Sequence, residues 1–145
     1  PVYSHVAYDI MPNEFQVIRQ PDIVIIEGLN VLQAGTTHPS APLPTFVSDF
    51  FDSSIYVDAD EADIEQWYVA RFLQLRETVF QDPTSFFHRF AKLTEDEAAN
   101  TARSIWRSIN LTNLHENILP TRDRAHLILE KGPNHAIRRV KLRRL

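Results

Sequence analysis

The sequence predicts an α/β domain with parallel strands. One observation is a continuous apolar run, Ile23-Val24-Ile25-Ile26, bracketed by Pro21-Asp22 and Glu27-Gly28. A short run of this kind reads as a strand buried on both faces, the pattern of a parallel sheet. A second is the long helical period between two further strand-like runs, Ser54–Ala59 and His126–Lys131. Strand, long helix, helix, strand is the rhythm of α/β architecture.

The elements follow in order. Asp22–Gly28 is the first predicted strand. Residues 33–45 contain Gly35, Pro39, Pro42 and Pro44 and read as an irregular loop. Ser54–Ala59 is the second strand. From Asp60 to about Glu77 the spacing predicts a helix, with Asp60 as N-cap and acidic residues in the first turn, where the helix dipole favours them. Ile64, Tyr68, Phe72 and Leu75 recur at helical spacing, and Arg71 lies on the same side. Gln81-Asp82-Pro83 breaks the chain, and an aromatic-rich stretch holding Phe86, Phe87 and Phe90 follows. Thr94-x-x-Glu97 is a capping box opening a helix to about Ile109, with Asn110 as its C-terminal cap. Leu111–Leu119 reads as a separate short helix stopped by Pro120. His126–Lys131 is the third strand, Gly132-Pro133-Asn134 a turn, and Ile137–Arg143 an alternating edge strand.

Composition narrows the function classes. The 145 residues suit one domain, or a large part of one. No uncharged apolar stretch of about 18 residues exists, so a membrane span is not expected, and the first ten residues lack the pattern of a signal peptide. With no cysteine, disulfides and thiolate metal sites are excluded, and a cytoplasmic setting is the simplest expectation. The histidines show no metal-ligand spacing. The three glycines are Gly28, Gly35 and Gly132, so neither glycine-rich phosphate loop, G-x-G-x-x-G or G-x-x-x-x-G-K-[ST], occurs. From Lys131 onward there are six basic residues and no acidic one, which leaves −10 on the remainder of a chain of net charge −4. These arginines lie on one alternating strand without stacking aromatics, which argues against a nucleic-acid surface.

Several residues are candidates for chemistry. In open α/β sheets ligands sit beyond the carboxyl ends of strands. That rule points to Glu27, Gly28 and Asn30, and to Asp58. Glu27 would orient a magnesium ion or its waters, or serve as a strand-end carboxylate paired with an arginine. Tyr3, His5 and Tyr8 put three hydrogen-bonding tips within six residues, able to line a polar ligand or to pack on a core. Arg71, on an apolar helix face, needs a partner: a structural carboxylate or a ligand phosphate.

Taken together, the segments PVYSHVAYDI, QPDIVIIEGLNVLQ, FVSDFFDSSIYVDAD, WYVARFLQLRETVFQDP, FFHRFAKLT and NLTNLHENILPTRDRAHLILEKGPNHAI resemble bacterial type I pantothenate kinases, in order and along essentially the whole chain. The resemblance implies a P-loop kinase fold, a three-layer sandwich with a mostly parallel sheet. It implies that residues 1–145 are the carboxy-terminal part of a single kinase domain, carrying the pantothenate pocket and lid helices. The phosphate-binding loop and the general-base aspartate would lie upstream of Pro1, so this chain alone is expected to be inactive. Family members phosphorylate pantothenate with ATP and Mg2+, the first step of coenzyme A synthesis. They are typically cytoplasmic homodimers, inhibited by coenzyme A.

Matched position by position, the resemblance places Tyr3, His5, Tyr8, Tyr68 and Asn110 on the polar parts of pantothenate. It places Phe72, Phe80 and Phe87 on its apolar part, Arg71 on the transferring phosphate, Glu27 near magnesium and His135 by the adenine. The alternative is a non-catalytic α/β module that only holds a small ligand.

Overall fold

A computed structural model of the chain describes residues 2–4, 8–35 and 45–143. It divides into two compact units, Pro1–Ile25 with Trp67–Ser104, and Ile26–Gln66 with Ile105–Leu145. His5 and most of the predicted 33–45 loop lie outside the described residues.

The first unit begins with a short hairpin. β1 (Val2–Ser4) pairs antiparallel with β2 (Asp9–Met11), Tyr3 opposite Ile10. The sequence presents Tyr3, His5 and Tyr8 as an aromatic-polar cluster, with Tyr3 and His5 also able to share one strand face. Thr94 then begins the second helix as predicted. Its backbone N–H and Oγ–H both donate to Glu97 Oε2, at 2.8 and 2.9 Å, and Glu97 N–H returns to Thr94 Oγ1 at 3.3 Å. Two of the orphan N–H groups at the helix start are thereby satisfied.

The second unit contains a three-stranded mixed sheet in the order β3–β4–β5. β3 (Ile55–Ala59) runs parallel to β4 (Leu127–Lys131), with Tyr56 opposite Ile128. β5 (Ile137–Leu142) returns antiparallel to β4, with a bulge at Glu130/Lys131. Tyr56 and Ile128 are buried and form the unit's core with Leu32 and Ala125, flanked by Val31, Phe51 and Ile118. The hydrogen-bond ladder starts from a double clip: Ser54 N–H donates to His126 Nδ1 at 3.1 Å, and His126 N–H donates to the Ser54 carbonyl at 3.1 Å.

Four expectations are corrected. Residues 22–28 form no strand; they are irregular and exposed, Ile23 at 81% and Ile25 at 89%. A parallel strand is held by ladder partners rather than by its own residues, and among the described residues this run has none. The described three-stranded sheet is mixed, with one parallel and one antiparallel pairing.

Asn110 is not a C-terminal cap, and Leu111–Leu119 is not a separate helix. α2 (Glu95–Ile105) runs on through Trp106–Asn110, Leu111–Asn113 and Leu114–Ile118 with right-handed helical backbone at each junction. Two of its steps are π-turns: Leu111 N–H reaches the Trp106 carbonyl and Leu119 N–H the Leu114 carbonyl, each five residues back. Pro120 enters the opening of the 3-10 turn Leu119–Arg124, where its missing N–H costs nothing.

The fourth concerns α1 (Glu61–Glu77), which forms where its period predicts, with Asp60 just ahead of it. Phe72 is its buried residue, but Arg71 is exposed rather than set in an apolar face. Residues 71 and 72 are 100° apart around a helix, enough for one to be buried and its neighbour wet.

Candidate functional site

In the first unit the aromatic side chains form a continuous path of ring contacts. Tyr3 meets Tyr8 edge-on at 6.1 Å, and Tyr8 meets Phe87 edge-on at 5.0 Å. Phe87 lies 5.4 Å from Phe80, which meets Phe72 edge-on at 5.3 Å. Five sequence-predicted site residues are thus brought together. Edge-to-face and offset geometries of this kind set the positive ring edge against a negative face. Burial is graded along the path: Phe72 and Phe80 are buried, Phe87 half-buried, Tyr3 and Tyr8 exposed. The cluster therefore offers a dry phenylalanine end and a wet phenol end, the two characters a partly polar organic ligand needs.

Tyr8 takes a positive φ of 56°, an uncommon conformation for a bulky residue. It stacks on Phe86 at 5.2 Å. Partial desolvation, with Tyr8 and Asp9 beside it, raises the Tyr3 phenol above its ordinary value, so Tyr3 stays a neutral hydrogen-bonding group.

Phe86 and Phe90 belong to the same cluster; the sequence leaves them open between core and pocket wall, and the resemblance does not place them on the ligand. Phe90 lies 5.4 Å from Phe72, and the Arg89 guanidinium sits 4.9 and 4.8 Å from the Phe86 and Phe90 rings. Their signal was the density of phenylalanine in FFHRF; the cation–π placement of Arg89 has no sequence signature. Tyr68 is half-buried on α1, one turn before Phe72. Arg71 makes no hydrogen bond or ion pair among the described residues. Arg76, one turn further on, is spoken for: it meets Glu77 at 3.3 Å and donates to the Leu93 carbonyl at 3.2 Å.

The remaining candidates belong to the second unit. Asn110 is half-buried at the close of the first π-turn. Glu27 is exposed in the irregular 22–28 segment and so does not end a strand. His135 is exposed, with φ 65°, in the turn where its N–H meets the Gly132 carbonyl and Gly132 N–H meets that of Ala136. Asp58, pointed to by the strand-end rule, is engaged: Arg122 Nε–H donates to its Oδ2 at 2.7 Å. That bond is the chief reason the Arg122 guanidinium is pushed above its ordinary value.

A cavity of about 290 Å³ opens at the carboxyl ends of β3 and β4, lined by Asp58, Ala59, Asp60, Glu130, Lys131, Arg138 and Arg139. Its place agrees with the strand-end rule, and of the residues to which that rule pointed Asp58 lines it, while Glu27, Gly28 and Asn30 do not. Among the described residues, no group of three His, Cys, Asp or Glu side chains is arranged to hold a metal ion. No described helix is long and apolar enough to cross a membrane.

No family model matches the chain. Three proteins named pantothenate kinase match it from end to end. The one from Photorhabdus laumondii is 58% identical over 144 residues, 99% of this chain. Those from Afipia carboxidovorans and Sorangium cellulosum are 58% and 60% identical over all 145 residues. In each case the chain spans 46% of the relative, about half its length. The chain is therefore similar, along its whole length, to part of the bacterial pantothenate kinases.

Proposed function

We propose that the intact protein carrying this sequence transfers a phosphoryl group from ATP to the primary hydroxyl of pantothenate. The observation that carries the reading is the 58% identity to proteins named pantothenate kinase over the whole chain. The path Tyr3–Tyr8–Phe87–Phe80–Phe72 supports it, because pantothenate combines hydroxyls, an amide and a carboxylate with an apolar gem-dimethyl carbon.

In this reading the phenols of Tyr3, Tyr8 and Tyr68, the His5 imidazole and the Asn110 amide hydrogen-bond the polar groups. Phe72, Phe80 and Phe87 exclude water around the apolar part. Arg71 stabilises charge spread over the phosphoryl oxygens. Its exposure and lack of a described ion pair leave its guanidinium available for a phosphate.

Magnesium usually keeps several waters and takes one or two protein carboxylates beside nucleotide phosphates. Exposed Glu27 suits one such role, and bound magnesium would neutralise phosphate charge. His135 stands by the adenine. The reading extends to coenzyme A as an inhibitor competing with ATP, to a homodimer and to a cytoplasmic setting. In this reading the phosphate-binding loop and general base belong to the part of the kinase that this chain, spanning 46% of its relatives, does not cover; its three glycines are not spaced to form that loop.

The test is a coupled assay of the intact protein with pantothenate, ATP and Mg2+, alongside calorimetric titration with pantothenate. Turnover that depends on all three is expected. Pantothenate binding without turnover would favour a non-catalytic ligand-binding module, and absence of both would overturn the reading.

A further inference from the structure

The phenylalanine-bearing segment after α1 is built almost wholly from local turns. Gln81 N–H meets the Thr78 carbonyl, Asp82 that of Val79, Ser85 that of Asp82, His88 that of Ser85 and Phe90 that of Phe87, each three residues back. Turns of this kind fix each short piece but not the position of one piece against another. Longer side-chain bonds supply that. Arg76 and Gln81 tie the segment's ends: Arg76 reaches the Leu93 carbonyl at 3.2 Å, and Gln81 Nε2 reaches those of Arg76 at 2.7 Å and Ala91 at 3.4 Å.

His88 differs, because its bond ends on the wall itself. Its Nδ1 lies 2.9 Å from the carbonyl oxygen of Phe80, eight residues earlier. A carbonyl oxygen only accepts, so Nδ1 carries the proton. The bond is part-buried, where a hydrogen bond counts for more than on the surface. It joins the 3-10 turn Val79–Gln81 to the turn His88–Phe90. Phe80 is in the first turn and Phe87 immediately precedes the second, and their rings are 5.4 Å apart.

We propose that His88 is a positioning residue: through the Nδ1–H bond to the Phe80 carbonyl it sets the separation of Phe80 and Phe87, and with it the fit of the apolar wall to pantothenate. The proposal rests on the pantothenate reading above and adds a residue that contacts the ligand only through others.

The experiment is steady-state kinetics of the intact protein with two substitutions. His88→Leu keeps bulk and removes the donor. His88→Asn places an N–H close to where Nδ1–H stands. The expected result is a pantothenate KM raised roughly five- to tenfold in His88→Leu, the scale of one lost hydrogen bond. The ATP KM and kcat stay at wild-type values, and His88→Asn restores the pantothenate KM. A wild-type KM in His88→Leu, or equal impairment in both variants, would overturn the proposal.

Nitrogen-15 shifts of the intact wild-type protein give a readout that survives misfolding of either variant. A proton on Nδ1 of His88 is expected, and a neutral ring protonated on Nε2 alone overturns the proposal. A wild-type protein that does not phosphorylate pantothenate sinks the underlying reading instead, and is recognised because it fails before any substitution is made.

Discussion

Arg122 and Asp58, 64 residues apart, are joined by a 2.7 Å hydrogen bond from Nε to Oδ2. The same guanidinium lies 3.4 Å from Glu130, which Arg139 and Lys141 of β5 also approach. One cation thus links the carboxyl ends of the neighbouring strands β3 and β4, where Asp58 and Glu130 stand opposite each other. Both partners are about three-quarters buried, and truncating one leaves the other poorly solvated. Arg122→Ala should destabilise the protein by about 2 kcal/mol. Urea unfolding gives the number, and an unchanged midpoint would show the bond to be incidental.

The capping box makes stability acid-sensitive. Thr94 N–H and Oγ–H lower the Glu97 carboxyl below its ordinary value, and Lys141 does the same first among the groups acting on Glu130. A carboxyl depressed by folding contributes stability that is present above its unfolded value, about 4.3. That contribution is lost as pH falls through the lower folded value. Unfolding midpoints should therefore drop on acidification below about pH 4, and Glu97→Gln should flatten that part of the curve.

Arg71 is exposed, so its loss should leave the fold intact. In the intact protein Arg71→Ala should lower kcat by roughly 10³, the scale of a phosphate-clamping arginine. Unchanged turnover would remove it from the mechanism.

Asn110 separates binding from helix stability. It lies inside a continuing helix, where alanine is the better former by up to about 0.7 kcal/mol. Asn110→Ala should leave the melting temperature unchanged or slightly higher while raising the pantothenate KM. A lower melting temperature with a normal KM would return the residue to a structural role.

What the sequence disclosed follows the range of the interactions involved. Thr94 and Glu97 are three residues apart, and the period of α1 is set within each turn, so both elements stand where they were expected. β3 and β4 were also found, because short apolar runs between breakers, Ile-Tyr-Val and Leu-Ile-Leu, carry their own signal. The Ile23–Ile26 run has the same signal without ladder partners among the described residues, and chain pattern does not report partners. The Arg122–Asp58 bond spans 64 positions and leaves no local trace. Of the candidate site, Tyr3 and Tyr8 were legible as a cluster within six residues, whereas Phe72, Phe80 and Phe87 were singled out by the resemblance alone; the five rings meet in one path. The clamps that hold them, His88 to Phe80 and Arg89 over Phe86, depend on how turns fold back on one another.

The two i→i+5 steps of the second helix also bear on how this protein's length can vary. Each step stores one residue beyond what an α-helical ladder requires. A single deletion inside 106–110 would convert that step to ordinary α-helix while the flanking faces, Ala98 and Ala102 among them, keep their register. The same deletion within α1, ahead of Phe72, would swing that ring about 100° around the axis and out of its cluster. Homologous chains that differ by one residue should therefore carry the difference at the π-turns and not in α1 ahead of Phe72.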